Sequence, residues 1–220
     1  MYKHSSVLRV GLLSSLLVYA ACSQERASSP ATPADAVVNE LRHLPAPIPA
    51  GCCGLSATPG EPPRLPASEV RREDLYNQLH ALGRAAVDAL ARGYGDPDVR
   101  LRRNVAIALL ILGGGYGPRA ELDISAALPA LTNALTDADA NVRAWSAQAI
   151  GHLGAQGAPA VPHLIELLRG DEGSRNSACI ALRKIGPSAA SALPALRQAL
   201  SDPSEDVREF ARLAIESIER

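Results

Sequence analysis

The stretch 126-AALPALTNALTDADANVRAWSAQAIGHLG-154 recurs, altered but in register, as 158-APAVPHLIELLRGDEGSRNSACIALRKIG-186 and 189-AASALPALRQALSDPSEDVREFARLAIESIER-220. Pro129, Pro162 and Pro194 align, 33 and 32 residues apart. Self-similarity at such a period is the mark of stacked structural units. Each segment opens with a short apolar helix, crosses a polar turn and enters a second helix that begins near Arg143, Arg175 or Arg208. Small or apolar residues recur three, six, seven and ten positions after that arginine: Ser146, Ala149, Ile150 and Leu153; Ala178, Ala181, Leu182 and Ile185; Ala211, Ala214, Ile215 and Ile218. This is one buried stripe at the 3.6-residue period.

The same frame continues upstream. Residues 83–113 supply a first hairpin, with Val105, Ala108, Leu109 and Leu112 on the stripe counted from Arg102, and 68–82 reads as the second helix of a partial capping unit. Residues 105–112 are apolar all round, which fits a helix covered on both sides. Composition agrees with an all-α fold: 47% of residues are apolar but only 3% aromatic, and the apolar mass is Ala, Leu, Val and Ile. The expected architecture is an α-solenoid of about four helical hairpins over 68–220 (83–113, 126–154, 158–186 and 189–220) plus an N-terminal capping helix.

Over 68–220 the chain resembles the HEAT-like repeat family, in particular the short-period form first associated with phycobilisome lyases. The resemblance is carried by Asp98-Val99-Arg100, Asn141-Val142-Arg143 and Asp206-Val207-Arg208; Gly173-Ser174-Arg175 keeps only the arginine, and Arg100 sits two residues ahead of the Arg102 frame. It implies second helices that line a concave, partner-binding side. It also brings a second functional class, a catalytic or cofactor-related role like that of the bilin lyases, although a fold does not carry a function with it.

The residues themselves assign structural work to the motif. Asp96-Pro97 and Asp202-Pro203 suit an N-cap followed by proline at the first helical position, and Asp202 with Glu205 has the spacing of a capping box. An arginine at a helix N-terminus opposes the helix dipole. Arg100, Arg143, Arg175 and Arg208 are therefore expected to reach acids such as Asp98 and Asp206 in neighbouring repeats, a ladder that sets the stacking offset.

The N-terminus reads as an export signal over residues 1–21. Lys3, His4 and Arg9 precede an apolar stretch too short to span a bilayer, and Ala20 and Ala21 then meet Cys22. The pattern resembles a lipoprotein signal with Cys22 as the lipidated first mature residue, and Ser23 after it is compatible with the outer membrane; Tyr19 departs from the usual aliphatic residue. Plain cleavage after Ala20 or Ala21, giving a soluble periplasmic or secreted protein, is the alternative. Residues 22–67 form a Pro/Ala/Ser-rich tether, interrupted by a short helix over 34–44 that could dock on the open end of the stack.

Other chemistry is sparse. The 22 Lys and Arg lose Lys3 and Arg9 with the signal, leaving 20 basic against 23 acidic residues, a balance that argues against nucleic acid as partner. The five histidines form no metal-binding pair at helical spacing, and no His-Glu dipeptide, the mark of HEAT-like iron hydroxylases, is present. No phosphate-cradling loop or catalytic triad stands out, so neither a catalytic residue nor a cofactor is assigned. Cys52-Cys53 could close on itself, bridge to another molecule or take a soft metal, and Cys179 reads as a small, partly buried residue. The partner is expected to be a protein or peptide. Candidate contacts are Trp145 and Phe210, which share a column, the off-stripe His152, Arg183, Lys184 and Arg212, and the glycine-flanked Tyr94 and Tyr116.

Overall fold

The computed structural model describes residues 32–45, 67–114 and 122–220. The chain divides into two units, Met1–Pro33 and Ala34–Arg220, and the following account is of the second. Every regular element among the described residues is helical, and none of these helices is long and apolar enough to cross a membrane.

After α1 (Pro33–Glu40) and a 3₁₀ turn (Leu41–His43) come α2 (Ala67–Leu82), α3 (Arg84–Gly93), α4 (Val99–Leu112), α5 (Leu128–Ala134), α6 (Ala140–His152), α7 (Val161–Leu167), α8 (Glu172–Ile185), α9 (Leu193–Ala199) and α10 (Glu205–Ile218). The pairs α3/α4, α5/α6, α7/α8 and α9/α10 are antiparallel hairpins, and the second helices α4, α6, α8 and α10 pack in sequence, each chiefly against the next. The architecture is an α-solenoid.

Local chemistry explains the joints. Pro129, Pro162 and Pro194 occupy the first helical turn of α5, α7 and α9, where amides have no intrahelical acceptor. Gly154 and Gly186 leave α6 and α8 at φ of 54° and 68°, a backbone state that residues with a Cβ rarely adopt. The core is the expected stripe: Ala149, Ile150, Ala178, Ala181, Leu182, Ala211 and Ala214 are fully buried. Between second helices the contact is made by small side chains four positions after the framing arginine, Ala106, Ala147 and Cys179, all fully buried. Burial pushes the Cys179 thiol up to about 12.

The N-terminal end differs from the sequence expectation. Helix α1 begins at Pro33, with Asp35 inside its first turn, where it pairs with Arg92 at 2.5 Å. Helix α2 does not stack on α4 as a preceding second helix. The place beside α4 is taken by the 3₁₀ turn: the buried Asn104 donates its Nδ2 to the Leu41 carbonyl at 2.9 Å. Where inner helices carry the buried Ala106, Ala147 and Cys179, α2 carries the bulky, buried Tyr76. Gly93 answers a demand for space, since a Cβ there would lie 2.8 Å from Val105.

Candidate functional site

Arg102, Arg143 and Arg175 work in two directions, and Arg208 in one. Nη1 of Arg102, Arg143 and Arg208 donates backwards to two carbonyls of the preceding turn: Asp96 and Pro97 at 2.9 and 3.1 Å, Asp137 and Ala138 at 2.7 and 3.0 Å, Asp202 and Pro203 at 2.7 and 3.0 Å. Arg175 donates to the Gly170 carbonyl at 2.9 Å. The other nitrogens reach forward. Arg102 forks onto Asp137 at 2.7 and 3.2 Å, Arg175 forks onto Asp202 at 2.7 and 2.9 Å, and Arg143 takes Asp171 together with the Ser174 hydroxyl. Arg103 adds a second rung to Asp139 at 2.9 and 2.5 Å. At the N-terminal end Arg42 supplies the incoming guanidinium, bonding Asp96 at 2.7 and 3.0 Å.

These pairs explain how an arginine is tolerated at a helix N-terminus: the carbonyls of the turn and the neighbour's carboxylate offset the unfavourable dipole. They also set the carboxylates. Hydrogen bonds from Arg42, Arg103 and Arg175 hold Asp96, Asp139 and Asp202 below the usual carboxylate range. At Asp171 burial would raise the carboxyl, but the Ser174 hydroxyl and Arg143, with the Ser174 amide, bring it down to about 2.

Several residues named from the motif have other roles. Arg100 is exposed and reaches only Asp98 of its own turn, at 3.9 Å. Asp98 is the N-cap of α4, accepting from the Arg100 amide at 2.9 Å, while Arg42 approaches its other oxygen at 3.4 Å. Asp202 is not a cap: α10 starts at Glu205 with Ser204 as N-cap, and Asp202 accepts the Ser204 amide and the Arg175 fork. The capping box is thus not formed, because the carboxylate is already committed to the preceding repeat. Asp206 is exposed in the first turn of α10. Arg208 has the two carbonyl bonds, and no forward pair is formed among the described residues.

The partner candidates separate in the same way. Trp145 and Phe210 are half-buried and pack against the core. Their column also holds Asn104 and Ser177, whose side chains bond the preceding unit, Leu41 and Gln148 respectively, so the column stitches repeats together. The Tyr94 hydroxyl meets Ser146 Oγ at 2.9 Å, and burial pushes its ionisation above the usual range. Arg212 stands where inner helices have Ala or Cys, and is bracketed on its own helix by Glu209 and Glu216. Tyr116, Cys22, Cys52 and Cys53 lie outside the described residues.

The column five positions after the arginine holds Ile107, which packs against the core, Gln148, which bonds Ser177, and then Ile180 and Leu213. At 100° per residue it lies on the opposite side of each helix from the core stripe. Ile180 and Leu213 are half-exposed and fall outside the core cluster. The sequence reading passed over Ile180 and Leu213 because it followed the aromatic and charged residues outside the stripe. One turn after Ile180, at the end of α8, are Arg183 and Lys184, both exposed. Lys184 Nζ lies 2.5 Å from His152 Nε2, and the Arg183 carbonyl accepts the Ser217 hydroxyl at 2.9 Å. Burial and the adjacent Arg183 lower the Lys184 pKa. Among the described residues no group of three or more His, Cys, Asp or Glu is placed to share a metal ion.

Residues 117–183 match the family model described as HEAT repeats. No curated protein sequence matches the chain. Among solved structures, the chain is similar to computationally designed armadillo repeat proteins for modular peptide recognition, with 24% identity, 66% of this chain and 68% of that one covered, and a TM-score of 0.53. A designed armadillo repeat protein in complex with the peptide (KR)4 gives 21% identity, 65% and 69% coverage and 0.54. An engineered protein gives 22%, 86% and 85%, and 0.53. At these identities the likeness is one of fold, and it agrees with HEAT-type hairpins stacked through their second helices.

Proposed function

We propose that the chain is an exported, envelope-held scaffold that binds an extended protein or peptide segment across the open face of its second helices. The observation that carries this reading is the half-exposed pair Ile180 and Leu213 on neighbouring second helices, outside the core cluster and opposite the core stripe. Apolar side chains repeated at the spacing of the stack suit a ligand that crosses successive repeats. Similarity in fold to designed proteins for modular peptide recognition supports the same use of the layer. The export signal and Cys22 support placement at the envelope, held by a lipid or released in the periplasm.

The test is capture of partners from detergent-solubilised envelopes with the membrane-processed protein, beside an Ile180→Glu/Leu213→Glu variant, with mass spectrometry of Cys22. A partner kept by the wild type and lost by the variant, with acylated Cys22, is the expected result. An identical set on both proteins removes the docking face from the proposal, and an unmodified cysteine removes the anchor. Trp145 is left intact, since its replacement would disturb repeat packing.

A further inference from the structure

Most described arginines of this protein are spoken for. The framing arginines bind carbonyls or carboxylates, and Arg71, Arg84, Arg92, Arg169, Arg197 and Arg212 each pair with an acid. Arg183 and Lys184 are different: neither makes an ion pair among the described residues. They are adjacent in the last turn of α8, where the dipole favours positive charge, yet Lys184 is packed near both Arg183 and His152. Two cations and an imidazole are thus gathered at this turn. The backbone under them is fixed by the Ser217 bond to the Arg183 carbonyl. Ile180 lies three and four residues earlier, on the neighbouring turn of the same helix face, so an apolar foothold and two unneutralised cations are presented together.

We infer that the second-helix face takes an acidic peptide segment, with an Asp or Glu seated on Arg183 and Lys184 and an adjacent apolar side chain laid on Ile180 and Leu213. This rests on the reading of that face as a docking surface, and adds the sign of the partner. An arriving carboxylate gains charge-assisted hydrogen bonds from both cations and relieves their mutual repulsion. A basic segment meets the same pair as a barrier. The chemistry is opposite in sign to the (KR)4 peptide held by the designed armadillo protein.

The test is selection of displayed random peptides of about twelve residues on the full chain in detergent, followed by fluorescence anisotropy of the best synthetic peptide. The expected peptides carry Asp or Glu beside an apolar residue. Their affinity falls about tenfold in Arg183→Gln/Lys184→Gln and weakens from about 50 to about 250 mM salt. Peptides without acids, or acidic ones indifferent to that variant but lost with Ile180→Glu/Leu213→Glu, overturn the assignment of charge while leaving the docking face in place. No enrichment on the wild type overturns both. Equal circular dichroism and Trp145 emission for all three proteins establish that the variants are folded.

Discussion

Replacing Asp202 by alanine removes the acceptor of the Arg175 fork, whose two bonds are 2.7 and 2.9 Å, and of the Ser204 amide at 2.9 Å. The pair is largely shielded, with the Asp202 side chain 9% exposed and that of Arg175 19%. Fully buried pairs cost about 3–5 kcal/mol when one partner is removed and exposed pairs about 0–1, so about 2 kcal/mol is expected here. In a domain of this size that lowers Tm by about 4–8 °C. Arg175→Met keeps the apolar stem and leaves Asp202 its amide partner, so it should cost only about 1 kcal/mol. The double variant should fall short of additivity by about 1 kcal/mol. Urea unfolding followed by far-ultraviolet circular dichroism and by Trp145 fluorescence measures each corner of the cycle. Glu166→Gln is the internal control, since its pair with Arg169 is 74% and 67% exposed. Strict additivity, or equal effects of Asp202→Ala and Glu166→Gln, would refute the view that the ladder holds the repeats in register.

Three other perturbations probe separate joints. Gly151→Val should destabilise the α6–α8 contact by about 1–3 kcal/mol, because even a Cβ there would come within 2.9 Å of Ala181 Cα; an unchanged urea midpoint would contradict the close approach. Asn104→Ala should free the N-terminal cap, seen as faster amide exchange over residues 34–44 with little change in α8 and α10, since it removes the bond to the buried Leu41 carbonyl. Asp171 is depressed to about 2 in the folded protein, so the stability it contributes is present above about pH 4 and is lost as pH falls from there through about 2. Asp171→Asn should flatten the acid limb of the stability profile between those values, and an unaltered limb would assign acid lability to other carboxylates.

The hairpins were legible in the sequence because the stripe after each arginine and the aligned prolines are local, periodic signals, read directly in Ala149, Ile150, Ala181 and Leu182. The ladder was only half legible. The triplet Asp-Val-Arg drew attention to Asp98, Arg100 and Asp206, whereas the forward acids lie six or four residues before the framing arginine, at Asp137, Asp171 and Asp202. Counting back from Arg102, Arg143, Arg175 and Arg208 would have found them. The N-terminal end was harder: nothing in the spacing of 68–82 shows that α2 does not stack on α4, or that Leu41 and Arg42 stand in for a preceding unit. Trp145 and Phe210 share the uncertainty of any large side chain off the main stripe, since only the neighbouring helix decides whether it is covered.

The forward reach of the arginines also limits how such a chain can grow. The second unit carries Asp137 and Asp139 where an incoming guanidinium arrives, so a tandem copy of it would meet a complementary acid on either side. The third unit has Arg169 in the place of Asp137 and accepts Arg143 of its predecessor through Asp171 and the Ser174 hydroxyl. Duplicating that unit would offer Arg175 the copy's Asp171 and Ser174, as Arg143 meets them now, in place of the two-bond fork on Asp202. Tandem lengthening would therefore preserve the rungs at the second unit and exchange a fork for a weaker rung at the third.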